Sequence, residues 1–213
     1  MLAAPIFTIV LFKLLLIFLT PLLQSQTGFD VVPYYEYVFA FVLLINTGLL
    51  GIITGFLMLD DRDGNIVQLM SVTPLGKGGY LANRLVIASV ASLFYTIAAY
   101  FILDLVEMPF YTMLLMAVLS AIYSAILGLL LFSGAGDKVK GLTFAKALNM
   151  LVLFAFADLF AVSWFIYFAW FFPPYWIAAI IKSPNSLFEI SMAIVVHLAW
   201  LLALVQKYLK QQS

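Results

Sequence analysis

The chain has 213 residues, 66% of them hydrophobic and 9% charged, with a formal net charge of zero and no cysteine. A soluble domain carries about 25% charged residues, so this composition places the chain in the membrane class before any pattern is read. Balanced charge points to no polyanion and so to no nucleic-acid partner, and a chain without cysteine excludes disulfides, thiol chemistry and cysteine metal sites.

A helix needs roughly 20 apolar residues to cross about 30 Å of hydrocarbon. Six runs reach that length, at 4–23, 36–58, 85–105, 111–132, 148–170 and 187–206. The predicted fold is therefore an all-α integral membrane protein with a single transmembrane domain over residues 1–213. The first run is longer than a signal-peptide core, follows no basic segment and precedes no small-residue cleavage site, so it reads as a retained helix. Six spans put both termini on one side with 59–84 and 133–147. Those regions hold Arg62, Lys77, Arg84, Lys138, Lys140, Lys146, Lys207 and Lys210, against Lys182 alone opposite. The positive-inside rule then makes the termini and both loops cytoplasmic, with Asp30, Glu36, Asp104 and Glu107 facing outward.

Span one carries Lys13 near its middle, where an ionisable group costs roughly 2.5–3.5 kcal/mol on insertion scales. In span two, Gly51 and Gly55 form a G-x-x-x-G with Gly48 one turn earlier, a spacing that brings helices into close contact. Packing inside the chain is the simpler reading, and a subunit interface the other. Between spans two and three runs LDDRDGNIVQLMSVTPLGKGGYLANR. Its middle, Ile66, Val67, Leu69, Met70 and Val72, is an apolar cluster that a one- to two-turn amphipathic helix presents on one face. Asp60, Asp61 and Asp63 precede it, where acidic groups favour a helix start, and Pro74 and Gly76 follow, where a helix stops. The expectation is a small helix against the membrane with an apolar side facing a partner, or else a loop tucked against headgroups. The PLGKGG stretch lacks the earlier Gly and the following hydroxyl of a phosphate-binding loop, so the chain should not hydrolyse ATP itself.

In spans five and six, Asp158 and His197 are the ionisable residues expected near mid-span. Opposite charges at similar depth offset part of their cost, so Asp158 is expected to pair with His197 or Lys13. A packing pair is the plain reading, and substrate contact or proton relay the functional one. Trp164, Tyr167, Trp170, Tyr175 and Trp176 gather near the outer ends of these spans, as an interfacial aromatic belt does. Pro173-Pro174 breaks the helix there, and a short re-entrant turn is expected if its backbone is buried in protein. The lone histidine comes with no H-E-x-x-H, G-x-S-x-G or carboxylate pair, so the chain is not read as an enzyme, and no metal site is expected.

The 59–84 stretch resembles the first cytoplasmic loop of membrane subunits in the ABC-2 class of ABC exporters, with acidic residues, a Gly, a Leu-rich turn and a VTPL-type ending before a Tyr-Leu and an Arg. GDKVKGLTFAKALNM resembles the segment that opens span five in bacterial drug-export permeases of that class, and FFPPYWIAAIIKSPNS resembles their outer segment that dips back into the membrane. The resemblance covers essentially the whole chain. It implies a coupling helix seated in a cleft of a separate ATPase subunit, with Ile66, Leu69, Met70 and Val72 as apolar contacts. Asp60, Asp61 and Gly64 would then shape the approach and Thr73 and Pro74 the exit. It also implies a second permease subunit, identical or related, with no cofactor bound by this chain, ATP and Mg being used by the ATPase, and a place in a bacterial or archaeal plasma membrane. Members commonly have a longer amphipathic segment before span one, which here begins almost at Met1. The small six-span subunit of haem-exporting ABC systems is the nearest alternative, and an accessory protein recruiting another cytoplasmic partner is a third.

Overall fold

The computed structural model describes residues 3–71, 74, 76–160 and 163–211. Among the described residues the chain is helical throughout, without strands. The helices are α1 (Ala3–Thr27), α2 (Tyr35–Asp63), α3 (Ile66–Ser71), α4 (Gly76–Leu103), α5 (Phe110–Gly134), α6 (Lys138–Asn149), α7 (Ser163–Ala169), α8 (Pro173–Lys182) and α9 (Leu187–Gln211). A ten-residue 3₁₀ segment, Met150–Leu159, continues α6. Six elements are long and apolar enough to cross a membrane: α1, α2 with the turn before it, α4, α5, α6 with its 3₁₀ continuation, and α9.

α2 is the axis of the bundle. Its residues from Phe39 to Asp61 include a long buried series, and it lies against α5 more closely than ordinary side chains permit. A Cβ on Gly51 would sit 2.5 Å from the Ser124 carbonyl oxygen, and one on Gly55 would sit 2.7 Å from the Leu131 Cβ. From the other side, a Cβ on Gly128 would lie 3.2 Å from the Gly51 carbonyl oxygen. The G-x-x-x-G pair thus packs within the chain, on α5. α4 completes the inner layer, with Ser89 donating to the Ala121 carbonyl at 3.1 Å and Ser92 to Thr47 Oγ1 at 3.3 Å.

α1 is peripheral, with Pro5 and Ile9 its only buried residues among those described. Phe12 meets the edge of the Phe41 ring, and the Thr20 hydroxyl lies 3.5 Å from that of Tyr35. These partners lie in the first two turns of α2, so α1 leans on the end of the bundle that carries Glu36, Asp104 and Glu107, called here the acidic end. The opposite, basic end gathers the close of α2, the starts of α4 and α6, and the close of α9, whose Tyr208 ring stands 5.8 Å from that of Phe132.

Span five is displaced from its expected position. The sequence suggested 148–170, whereas the membrane-length element is Lys138–Leu159. The reason is local: Asp137 Oδ1 accepts the Lys140 backbone N–H at 2.8 Å and starts a helix in what reads as a polar loop. That hydrogen bond from the Lys140 N–H, the usual stabilisation of an anion at a helix start, holds the Asp137 carboxyl below the usual carboxylate range. Gly141 then seats α6 on α2, its missing Cβ leaving room for Phe56 and Leu59, which would otherwise stand at 2.9 and 3.0 Å. The chain after Leu159 folds back through α7 and α8, which at seven and ten residues are too short to cross a bilayer. α8 opens with Pro173 and Pro174 and buries them with Trp176, Ile177, Ala178, Ile180 and Ile181. Its backbone is therefore covered by protein, as non-helix-spanning segments at membrane depth require.

The seam between α2 and α5 should be the least forgiving place in the fold. Gly51→Ala is expected to destabilise by about 1–3 kcal/mol through overpacking, read as a lower melting temperature of the detergent-solubilised protein. Gly78→Ala, where an added Cβ meets nothing within 4 Å, should leave the melting temperature unchanged or raise it.

Candidate functional site

At the basic end, the last turn of α2 sends three consecutive charged side chains in three directions. Asp60 pairs with Lys138 at the start of α6. Asp61, 5% exposed, is gripped by α4. Arg84 donates from Nη2 to Oδ1 at 2.8 Å and places Nε 2.6 Å from Oδ2, while the Tyr80 hydroxyl donates to Oδ2 at 2.8 Å. Arg62 reaches the connection between α5 and α6, where Nη2 donates to the carbonyls of Ala135 at 2.9 Å and Gly136 at 2.7 Å. Its guanidinium also lies 5.2 Å over the Phe132 ring, in cation–π range.

This corrects the expectation that Asp60, Asp61 and Asp63 begin a new helix. They end α2, which runs to Asp63. Carboxylates at a helix C-terminus oppose the macrodipole, and the cations that α4 and α6 bring to Asp61 and Asp60 offset that. Gly64 has an ordinary φ of −82°, and Asn65, at φ 58°, is the left-handed residue. Asparagine tolerates that region better than other non-glycine residues.

α3 is one and a half turns long and amphipathic across its short axis. Val67, 5% exposed, faces the core and Met70 packs half-buried beside it. Ile66 and Leu69 point away, at 38% and 66% exposure. The expected contact set is thus divided between an anchored face and an outward face, and Val67 is the anchor that sequence reasoning left out of it. Val72 and Thr73 lie outside the described residues, and Pro74 is an exposed turn residue.

Above this end, α2, α5 and span five enclose an open cleft of about 540 Å³. Its walls are aliphatic and aromatic, including Phe41, Ile45, Ile52, Phe56, Leu127 and Val152, with Tyr123 and Asn149 adding polar atoms. Asn149 Oδ1 faces Gly48 of α2, within 3.6 Å of where a Cβ would be. Neither polar residue stands out in the sequence, although Asn149 is a carboxamide at the start of a long apolar run.

The three intramembrane ionisable residues do not meet. Asp158 ion-pairs with Lys182 at the end of α8, not with His197 or Lys13, and that ammonium stands 4.5 Å over the Tyr37 ring. The displacement of span five explains this, because it carries Asp158 to the acidic end. Lys13 donates to the Leu103 carbonyl at 2.7 Å, supplying a donor to the last turn of α4, where carbonyls lack partners. His197 lies in the middle of α9, fully buried, with Nδ1 2.7 Å from the Ala193 carbonyl oxygen of the preceding turn.

Asp61→Ala strands Arg84 and should lower stability by about 2–3 kcal/mol, below the range for a fully buried pair because the arginine is one-third exposed. Tyr80→Phe should cost about 1 kcal/mol. Both are read from thermal unfolding in detergent. A double-mutant cycle on Asp158→Asn and Lys182→Gln should return a coupling energy of about 0.5–3 kcal/mol, whereas Asp158→Asn with His197→Gln should be additive.

Residues 1–205 match the family described as Fluoroquinolones export permease protein Rv2686c-like. Two Mycobacterium tuberculosis proteins, Fluoroquinolones export permease protein Rv2686c of strain ATCC 25618 / H37Rv and Fluoroquinolones export permease protein MT2760 of strain CDC 1551 / Oshkosh, are each 32% identical to the chain over 166 residues. The match covers 75% of this chain and 64% of each relative, so the chain spans less than two thirds of the length of the curated relatives it matches. No solved structure matches. With five spans and most of the sixth inside the matched region, the chain belongs to the Rv2686c-like family of membrane permease proteins.

Proposed function

We propose that the chain is the membrane-spanning subunit of an ABC-2 type exporter, driven by a separate ATPase that docks on α3. The observation that carries this is the division of α3 at the basic end. Val67 and the half-buried Met70 fix the helix to the bundle, and Ile66 and Leu69 are left as an apolar face outside it. A short, anchored helix with an outward apolar side suits insertion into a groove of a partner. The absence of a phosphate-binding loop in the sequence supports an external motor, with ATP and Mg held by the ATPase. The basic end faces the cytoplasm of a bacterial or archaeal plasma membrane, following the distribution of Lys and Arg. A second permease subunit, a copy of this chain or a related one, completes the translocation path.

The cleft bounded by α2 and span five is the cargo-facing surface. Its volume of about 540 Å³ falls within the range of roughly 300–1,000 Å³ that holds drug-sized ligands. Aliphatic walls with three aromatic rings and two polar side chains favour an amphipathic, partly aromatic molecule. The names of the mycobacterial relatives point to fluoroquinolones as the first cargo to test. ATP binding would draw the docked α3 helices together, and the path would change the side of the membrane to which it opens.

The test is to purify the tagged chain from its native membrane, identify any ABC ATPase that accompanies it, and measure fluoroquinolone uptake into inverted vesicles. Leu69→Asp should reduce both the recovered ATPase and ATP-dependent uptake by about tenfold or more, the loss of one central contact. Because Leu69 is 66% exposed, the melting temperature should not move. An ATPase recovered in full with the variant, together with normal uptake, would remove α3 as the docking element.

A further inference from the structure

We infer that Arg62 is the positioning residue that ties α3 to the wall of the cleft formed by span five. Its consequence in the assembled exporter rests on α3 being the docking element, but the tie itself belongs to this chain. The cleft has two unlike walls. One is the glycine seam of α2 and α5, where backbones touch and nothing can slide. The other is span five, which joins α5 through the short connection 135–137, with Ala135 in extended conformation at φ −103° and ψ 132°, and rests on α2 at Gly141.

Arg62 is the residue that belongs to both sides of this arrangement. Its own carbonyl accepts the Asn65 N–H at 3.1 Å, the bond that forms the turn into α3. Its side chain holds the Ala135 and Gly136 carbonyls, the point where α5 gives way to α6. Carbonyls at the end of a helix need donors from outside it, and the planar guanidinium serves two at once while stacking on Phe132. A displacement of α3 therefore reaches the root of span five through one side chain.

The neighbouring charges do different work. Asp61 is bound to α4 through Arg84 and Tyr80, and α4 contributes nothing to the lining of the cleft. Asp60 does reach α6 through Lys138, but those side chains are 43% and 55% exposed, and an ion pair so open to solvent holds little. Asp61 accordingly anchors the end of α2, and Arg62 transmits.

The chain lacks cysteine, so spin labels at Leu57→Cys on α2 and Leu153→Cys on the 3₁₀ segment, both exposed positions, report the separation of the two walls. In lipid nanodiscs, the chain with Arg62 intact should give one narrow distance distribution. Arg62→Gln should broaden it at least twofold, Arg62→Lys should fall between, and Lys140→Gln should leave it unchanged. Size-exclusion profiles and melting temperatures identify folded variants, and Arg62→Lys decides the question if Arg62→Gln does not fold. A wild-type distribution in the folded Arg62 variants overturns the inference. With the ATPase present, ATP should shift the distance in the wild type, while Arg62→Gln retains the ATPase but loses the shift and the drug-stimulated hydrolysis. A variant that keeps the shift also overturns it. If no ATPase accompanies the wild type, the docking role of α3 fails, and the width measured on the chain alone still decides the role of Arg62.

Discussion

The backbone of α2 lies on the backbone of α5 because Gly51, Gly55 and Gly128 put no side chain between them. In a bilayer, where lipid tails are as apolar as leucine, helices gain little from burying apolar surface against each other, and close backbone approach is a main source of association. That contact makes α2 a fixed staff. One of its faces forms the rigid side of the cleft, another receives α4, and its last turn carries α3. Had the seam been built of leucines, the staff would stand further off and the glycine-seated α6 would lose its register with Phe56 and Leu59.

Lys13, Lys182 and Arg62 follow a common rule, which is to find a partner at the end of a helix. Lys13 satisfies a carbonyl at the end of α4, Lys182 at the end of α8 meets Asp158 at the end of the 3₁₀ segment, and Arg62 satisfies carbonyls just past the end of α5. Helix ends are where unpaired backbone dipoles concentrate, so a charge there is both less costly and more useful than one at mid-span. Each such bond also links two helices that are not neighbours in sequence. The charges fasten the periphery of a bundle whose centre is apolar.

The spans were legible because their length and hydropathy answer to one solvent, the bilayer. The close-packing glycines and the break at Pro173-Pro174 were legible because each residue type has a conformational reason that does not depend on distant partners. Pairings were not. The burial of Asp61 depends on Arg84, 23 positions away, arriving one side chain deep in α4, and no local pattern encodes that. The displacement of span five turned on the reading of 133–147 as a loop: its lysines suggested solvent, whereas Gly141, Ala145 and Leu148 form a buried stripe. Once that helix was misplaced, Asp158 was assigned the wrong depth and the wrong partner. In α3, six residues are too few for periodicity to say which apolar side chain faces in, so Val67 and Leu69 could not be told apart. Arg62 counted in the sequence only as one positive charge among eight.

The 3₁₀ segment of span five carries a mechanical consequence. A 3₁₀ helix rises about 2.0 Å per residue with three residues per turn, against about 1.5 Å and 3.6 for an α-helix. Ten residues from Met150 to Leu159 are thus about 5 Å longer than the same residues wound as α, and overwound by roughly half a turn. Asn149 sits at one end of this stretch and Asp158, clasped by Lys182, at the other. Rewinding would retract one end toward the other like a screw turned in a fixed nut, swinging the carboxamide and Val152 around the axis while the far end stayed gripped. A span of this kind stores both stroke and rotation within its own backbone.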